Sequence, residues 1–339
     1  MTCTSFLSAD SVRLYYAPEP GIGAALPTLL AWKPVYFTSE SFSLPSEYSR
    51  DGILGNSPTS SQIISKSQSS VSVSFSAETS LNHLLYDLLI SGFSSNLAYS
   101  SSNLPFSTFS EIKNGSTQRS LVFIKLIRKE DNQHDIILFR GALVSSISLT
   151  MSSGSISSVS ASFEVQDVGS DSTVLFSDVD LSTLPAEMAD WTFDAGVSPD
   201  ILGPSDIYDF TVINNSRQLD ATATDITLTV TNDLTDYRPT GSGQYARTLA
   251  VSNTQASLST TAYYTDGTIA KVVLSASDTF SVSFKLTDGL ADVQFTIPEC
   301  KIEGELTPVA GSADADLLAD LDFQAIGGGS YTLSVSPVS

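Results

Sequence analysis

Polar and apolar residues alternate along much of this chain. The clearest run sets Val71, Val73 and Phe75 against Ser72, Ser74 and Ser76, the period of a strand with one buried face. Directly after it Leu81, Leu84, Leu85, Leu88 and Leu89 recur at helical spacing, with Thr79 or Ser80 as the predicted cap and Gly92 as the predicted end. This strand-then-helix stretch, Ser69 to Phe93, occurs again from Ala256 to Ala276. There Leu258 and Ala262 alternate with polar residues, and Asp266 opens a helix bearing Ile269, Val272 and Val273.

The surrounding elements repeat in the same order. Met1 to Ala31 reads as an arm punctuated by Pro18, Pro20, Gly21, Gly23 and Pro27. Pro34 to Leu44 and Ile63 to Glu78 are strands joined by the polar stretch Pro45 to Gln62, which predicts a long hairpin with a projecting functional tip. Arg119 to Ile127 and Asp135 to Phe139 flank the charged turn Arg128 to His134, a predicted hairpin. Leu143 to Leu149 and Val159 to Val165 form a further pair around Ser152 to Ser155.

Asp167 to Ala221 breaks into turns and is read as a connector with a second arm. The order then restarts: Ile226 to Val230, a polar loop from Asn232 to Gly243, Leu249 to Tyr264, and the second helix. A hairpin of Phe280–Leu286 and Val293–Ile297 follows, then Ile302–Leu306 and Leu317–Ile326. Even the endings look alike, Phe163-Glu164-Val165-Gln166-Asp167-Val168 beside Leu321-Asp322-Phe323-Gln324-Ala325-Ile326. The expected fold is mainly β, two tandem β-sandwich or half-barrel domains each with one flanking α-helix. The expected boundaries are 1–168, a connector at 169–221, and 222–339.

Length supports that division, since 339 residues suffice for two ordinary domains. Hydrophobic content of 41% with 16% charged residues predicts a folded chain rather than a disordered one. The formal net charge of -21 argues against gripping nucleic acid, because the only basic patch is Lys125, Arg128 and Lys129. An acidic surface would instead hold a polyanion off. Cys3 and Cys300 read as free thiols, and neither a secretory signal nor a membrane-length apolar run is found.

Candidate chemistry is sparse. His83 reads as the polar edge of the helix and His134 as a solvated turn, neither with the surroundings of a nucleophile. Asp314, Asp316, Asp320 and Asp322 lack the spacing of a calcium loop, and Gly327 to Gly329 has no lysine to cradle phosphate. No enzyme, metal site or cofactor is expected.

Several segments together resemble the tail tube proteins of long-tailed bacteriophages. They are Phe37-Thr38-Ser39-Glu40-Ser41 before the long loop, Val71 to Ser76 leading into Leu84-Leu85-Tyr86-Asp87-Leu88-Leu89, and Phe139 to Leu149 leading into Ser160 to Val165. Ile297-Pro298-Glu299 and Leu321 to Ala325 extend the likeness. The resemblance implies two tail-tube-like domains in a structural virion protein, assembled in the host cytoplasm into stacked rings around a lumen. With two copies per chain, three chains would make a ring of pseudo-sixfold symmetry. Implied partners are further copies of the chain, the tape measure protein, tail terminator and tail tip proteins, and DNA that passes without specific binding; no membrane is involved.

On that reading Ser72, Ser74, Ser76, Glu78, Ser259 and Thr261 face the lumen, with the helices outside. Ser46, Glu47, Tyr48, Arg50, Asp51, Ile53, Leu54, Asn56, Tyr237 and Arg238 contact the next ring. Two other readings are a fibre, decoration or terminator protein, and a carbohydrate-binding module using Trp32, Trp191, Tyr263 and Tyr264 as platforms.

Overall fold

The computed structural model describes residues 11–19, 21–22, 30–43, 47–51, 63–67, 71–99, 105–129, 133–152, 154–165, 173–181, 191–193, 201–214, 217–219, 223–237, 248–263, 279–303, 318–326 and 333–338. In the first half the elements are β1 (Val12–Pro18), β2 (Leu30–Val35), β3 (Phe37–Ser43), β4 (Glu47–Asp51), β5 (Ile63–Ser67), β6 (Val71–Glu78), α1 (His83–Gly92), β7 (Ile112–Lys113), β8 (Leu121–Arg128), β9 (Gln133–Ser152), β10 (Ser158–Val165) and β11 (Thr173–Asp180). Then come β12 (Trp191–Phe193), β13 (Ile207–Asn214), β14 (Arg217–Leu219), β15 (Ala223–Tyr237), β16 (Thr248–Tyr263), β17 (Phe280–Thr287), β18 (Asp292–Glu303), β19 (Leu318–Ala325) and β20 (Ser334–Pro337).

One pairing circuit occurs twice. β3 pairs with β6, β6 with β10, β10 with the second half of β9, β9 with β8, β8 with β1 and β1 with β2. The second circuit runs β15, β16, β19, β18, β17, β13, β14. β11 and β20 occupy the same place along the first halves of β9 and β18.

The irregularities repeat as well. Leu121 faces Ala142 and, after a bulge, Phe123 faces Phe139; likewise Phe280 faces Cys300 and Val282 faces Ile297. Phe37 faces Ala77 and then Ser39 faces Ser76, just as Ala223 faces Ala262 and then Asp225 faces Thr261. The residue left over at each of these last bulges is a threonine. Thr38 Oγ1 donates to the Ser76 carbonyl at 3.1 Å and Thr224 Oγ1 to the Thr261 carbonyl at 3.0 Å. Such bulges re-aim a strand and are structural features in their own right.

These registers correct the match of the two endings. Val165 lies opposite Ala142 and Ala325 opposite Cys300, so Phe163 corresponds to Phe323, two positions from the match suggested by residue types.

The two circuits meet where β15 pairs with β9, from Asp225 opposite Ser152 to Thr231 opposite Ser146. One 18-stranded sheet results, and one apolar cluster runs through both repeats, including Phe123 and Phe163 with Phe284 and Phe323. Asn232 seals the joint: its Nδ2 donates to the carbonyls of Gly92 at 2.8 Å and Val144 at 3.0 Å, while its Oδ1 accepts from Thr254 at 2.7 Å. At Gly92 a Cβ would lie 2.7 Å from Ile147 Cδ1, so a larger residue there would require the Ile147 side chain to shift.

Several expectations change. The helix is capped by Asn82, whose side chain accepts from Leu84 and Leu85 N–H, because Thr79 is held extended by backbone bonds to Ser157 and Leu202. Asp135–Phe139 and Leu143–Leu149 belong to one 20-residue strand, β9, which bends at Gly141 with φ 66. His134 therefore sits on β9 rather than in a turn. β15 continues through Asn232 to Tyr237, where a loop was expected, and 167–221 contributes β11 to β14. The tip of the first hairpin is itself paired, Glu47–Asp51 with Ile63–Ser67. The expected second helix from Asp266 lies outside the described residues, as do Cys3, Asp314, Asp316 and Gly327 to Gly329.

Candidate functional site

Alternation puts every second residue of a strand on one face, and across paired strands those residues line up in rows. One row runs Ser39, Ser76, Ser160, Ser148, Thr229, Ser257, Gln324. A neighbouring row runs Ser41, Ser74, Ser162, Ser146, Thr231, Gln255. On the other side lie Glu78, Ser158, Thr150, Thr227, Ser259 and Asp322, and then Ser152, Asp225, Thr261 and Asp320. Both repeats thus contribute to a continuous hydroxyl-rich wall.

The opposite face of the same strands is apolar and buried. It consists of Val73, Phe75 and Ala77, Val159, Ala161 and Phe163, Ile147 and Leu149, Ile226, Leu228 and Val230, Leu258, Leu321 and Phe323. α1 and the β8 layer lie on that side, with Leu84, Leu88 and Leu89 in the shared core. Burial of each large apolar side chain contributes about 1.5–3 kcal/mol, so the wall cannot turn over without losing its core.

Hydroxyls bridge the wall laterally. Ser76 and Ser160 Oγ are 2.8 Å apart, and Ser148 Oγ and Thr229 Oγ1 are 3.4 Å apart across the joint. Ser259 Oγ donates to Asp322 at 2.5 Å and Thr261 Oγ1 to Asp320 at 2.8 Å. Carboxylates stand toward both ends of the strands, Glu78, Asp225, Asp320 and Asp322 at one and Glu164 and Asp233 at the other, and Lys301 lies in register beside Gln324.

Ser72, Ser74, Ser76 and Glu78 therefore share a face with Ser259 and Thr261, and Ser74 and Ser76 correspond in register to Ser259 and Thr261. Sequence reading missed the contribution of β9 and β10, although Ser158, Ser160 and Ser162 carry the same alternation as β6. Glu47, Tyr48, Arg50 and Asp51 lie on β4, and Tyr237 ends β15 with its ring exposed. Ser46, Ile53, Leu54, Asn56 and Arg238 lie outside the described residues.

The chain matches the family model described as phage tail tube protein over residues 9–325. The chain belongs to the phage tail tube protein family. It is thus a structural component of the virion tail, and membership implies self-assembly into a tube with other tail components. No curated protein matches the chain.

The other candidate groups fit a structural tail tube protein. Trp32 is fully buried and stacks on Phe193, so it is core rather than a sugar platform. Lys125 pairs with Glu40 at 2.6 Å and Lys129 with Asp135 at 2.6 Å, which occupies part of the basic patch. Burial pushes the Cys300 thiol up to about 12, leaving it protonated and unreactive at neutral pH. No described helix is long and apolar enough to cross a membrane.

Two buried carboxylates were not anticipated. Asp87 on α1 accepts from Lys33 Nζ at 2.8 Å and Tyr16 OH at 3.1 Å, tying the helix to β1 and β2. Burial raises its carboxyl above the ordinary value despite both partners. Glu19 accepts from the Ser120 hydroxyl and from the Gly141 N–H at 3.1 Å, holding the bend of β9.

Proposed function

We propose that three copies of this chain close into a ring of pseudo-sixfold symmetry, that rings stack into the tail tube, and that the hydroxyl-rich wall lines its lumen. The observation that carries this reading is the single polar face, continuous in register across both repeats. Within the chain, β15 is completed by β9 of the other repeat. Its counterpart β3 pairs, among the described residues, only with β6. A bare strand edge recruits another strand, and a second copy supplies the equivalent one.

A lumen of this composition suits transit of DNA. Hydroxyls keep the wall hydrated, and the carboxylates of Glu78, Asp225, Asp320 and Asp322 repel phosphate, so no counterion release favours adsorption. The tube acts as a conduit and requires no catalytic group. The hairpin tips β4–β5 and Tyr237 contact the adjoining ring. Tape measure protein, tail terminator and tail tip proteins are its partners in the virion.

Averaged cross-sections of assembled tubes, with mass per unit length, test the ring. Three chains per ring with the β6 and β16 serines inward are expected; six chains per ring, or a lumen lined by lysine and arginine, overturns the proposal.

A further inference from the structure

The repeat extends upstream of β1 and β13. Val12 faces Ile127 and Ile207 faces Leu286, and both partners stand four positions on from the matched pair Phe123 and Val282. Val12 and Ile207 are therefore equivalent. The residues before them run Phe6-Leu7-Ser8-Ala9-Asp10-Ser11 and Ile201-Leu202-Gly203-Pro204-Ser205-Asp206, each a large apolar residue, a leucine and a small residue in that order. Ser11 lies in a 3-10 turn directly before β1, as Pro204–Asp206 forms one directly before β13. Phe6 to Asp10 lie outside the described residues.

In the second repeat this segment reaches across to the first. Thr79 N–H donates to the Ser157 carbonyl at 2.9 Å, Ser157 N–H to the Leu202 carbonyl at 3.0 Å and Leu202 N–H to the Thr79 carbonyl at 2.9 Å, a closed circuit of backbone bonds. Thr79, Ser157 and Leu202 are all buried, and the Leu202 side chain joins the shared core. The clasp thus satisfies buried amides just beyond the last wall pair of this end, Glu78 with Ser158.

Register locates the equivalent end in the second repeat. Glu78 and Ser158 correspond to Tyr263 and Leu318, where β16 ends and β19 begins. Tyr263 is 36% exposed there and offers an apolar surface. Within one chain the segment before β13 is taken up by the first repeat, so the equivalent contact draws on the segment before β1 of another copy.

We infer that Phe6 and Leu7 of one chain clasp the second repeat of its neighbour in the ring, at the end marked by Tyr263 and Leu318. This rests on the closed-ring reading above. Each chain then forms one clasp within itself and gives one to its neighbour, an equivalent element used once in cis and once in trans.

The test uses the full chain carrying Leu7→Cys/Tyr263→Cys with Cys3→Ser, treated with a short bis-maleimide after assembly. Covalent products of two and three chains are expected on denaturing gels; links confined to single chains, or none, overturn the inference. Leu7→Asp without added cysteines is expected to melt like the parent when unassembled and to raise the concentration at which rings form by about tenfold or more. Leu202→Asp, which strikes the clasp formed within the chain, is expected to lower the melting temperature of the chain itself. Rings formed by Leu7→Asp at the parent's concentration overturn the inference and leave the ring standing. Six chains per ring, or no rings from unaltered protein, overturns the closed-ring reading itself.

Discussion

The two repeats keep the same strand pairing but treat the back of their outer layer in opposite ways. In the first, Val122, Ile124 and Leu126 of β8 and Ile136 and Leu138 of β9 form a second apolar cluster with Tyr15 and Trp32, closed over by Val179, Leu181 and Phe193. Register places Ser281, Ser283 and Lys285 of β17 and Gln294 and Thr296 of β18 at the corresponding positions. The face toward the shared core stayed apolar in both, Phe123 matching Val282 and Phe139 matching Ile297. The difference teaches that pairing and inner packing define the repeat, whereas a covering segment decides whether the outward face is oily or wet.

The helix attachment differs in the same way. Tyr16 and Lys33, which hold Asp87, correspond in register to Val212 and Leu219. The two residues that hold Asp87 in one repeat thus stand where the other has a valine and a leucine.

The largest effect expected from this comparison is on Lys33→Leu. It leaves Asp87 buried without its cation and should cost about 3–5 kcal/mol in denaturant unfolding. Lys33→Leu/Asp87→Val, which removes the stranded carboxyl together with its cation, should recover most of that loss; a double variant as weak as the single would show that the stranded carboxyl is not its source. The pH dependence sharpens it. Because burial raises Asp87 above its ordinary 3.8, the folded chain holds this proton more tightly than the unfolded one. Its stabilising contribution is complete below that value and is lost as pH rises through the raised one. The parent's stability relative to the double variant should therefore decline across that interval.

A middle effect is expected at the cover. Phe193→Ala uncovers Tyr15, which it meets edge-on at 5.2 Å, and Trp32, and should cost about 2 kcal/mol in the same measurement. Ser283→Ala, on the corresponding face of the second repeat, which has no such cover among the described residues, should change stability by less than about 0.5 kcal/mol. Equal losses at both sites would contradict the contrast between the two outer faces.

The smallest effect concerns the bulges. Thr38→Ala and Thr224→Ala each remove one hydroxyl donor and should each cost about 1 kcal/mol. The two losses should agree, since the two bonds are equivalent in register; a marked inequality would count against the repeat.

Much of this was legible along the chain because it is local. The alternation of Val71 to Ser76, the leucine stripe of α1 and the β17–β18 hairpin depend on period and turn chemistry, and the structure keeps them. What was hidden depends on partners far away in sequence. Asn232 looks like a loop residue until Gly92 and Val144 are brought to it, and Gly141 looks like a break until Glu19 holds the bend. β13 carries a register shift between Tyr208 and Thr211 and β14 is three residues long, and only the pairing of β13 with β17 and of β14 with β13 reveals them as counterparts of β1 and β2. The serines of β6 and β16 were identifiable singly, but their union into one wall required the β9–β15 joint.

That joint has a counting consequence for the ring proposed above. Two wall positions are covalently tethered and already zipped from Asp225–Ser152 to Thr231–Ser146 before any second chain arrives. Every closed ring of such chains therefore holds an even number of positions. A five- or seven-position miscount, an error open to subunits that carry one position each, is excluded by arithmetic rather than by proofreading. Half of the lateral contacts also form at the high effective concentration of a tether, so closure waits on fewer encounters between free molecules.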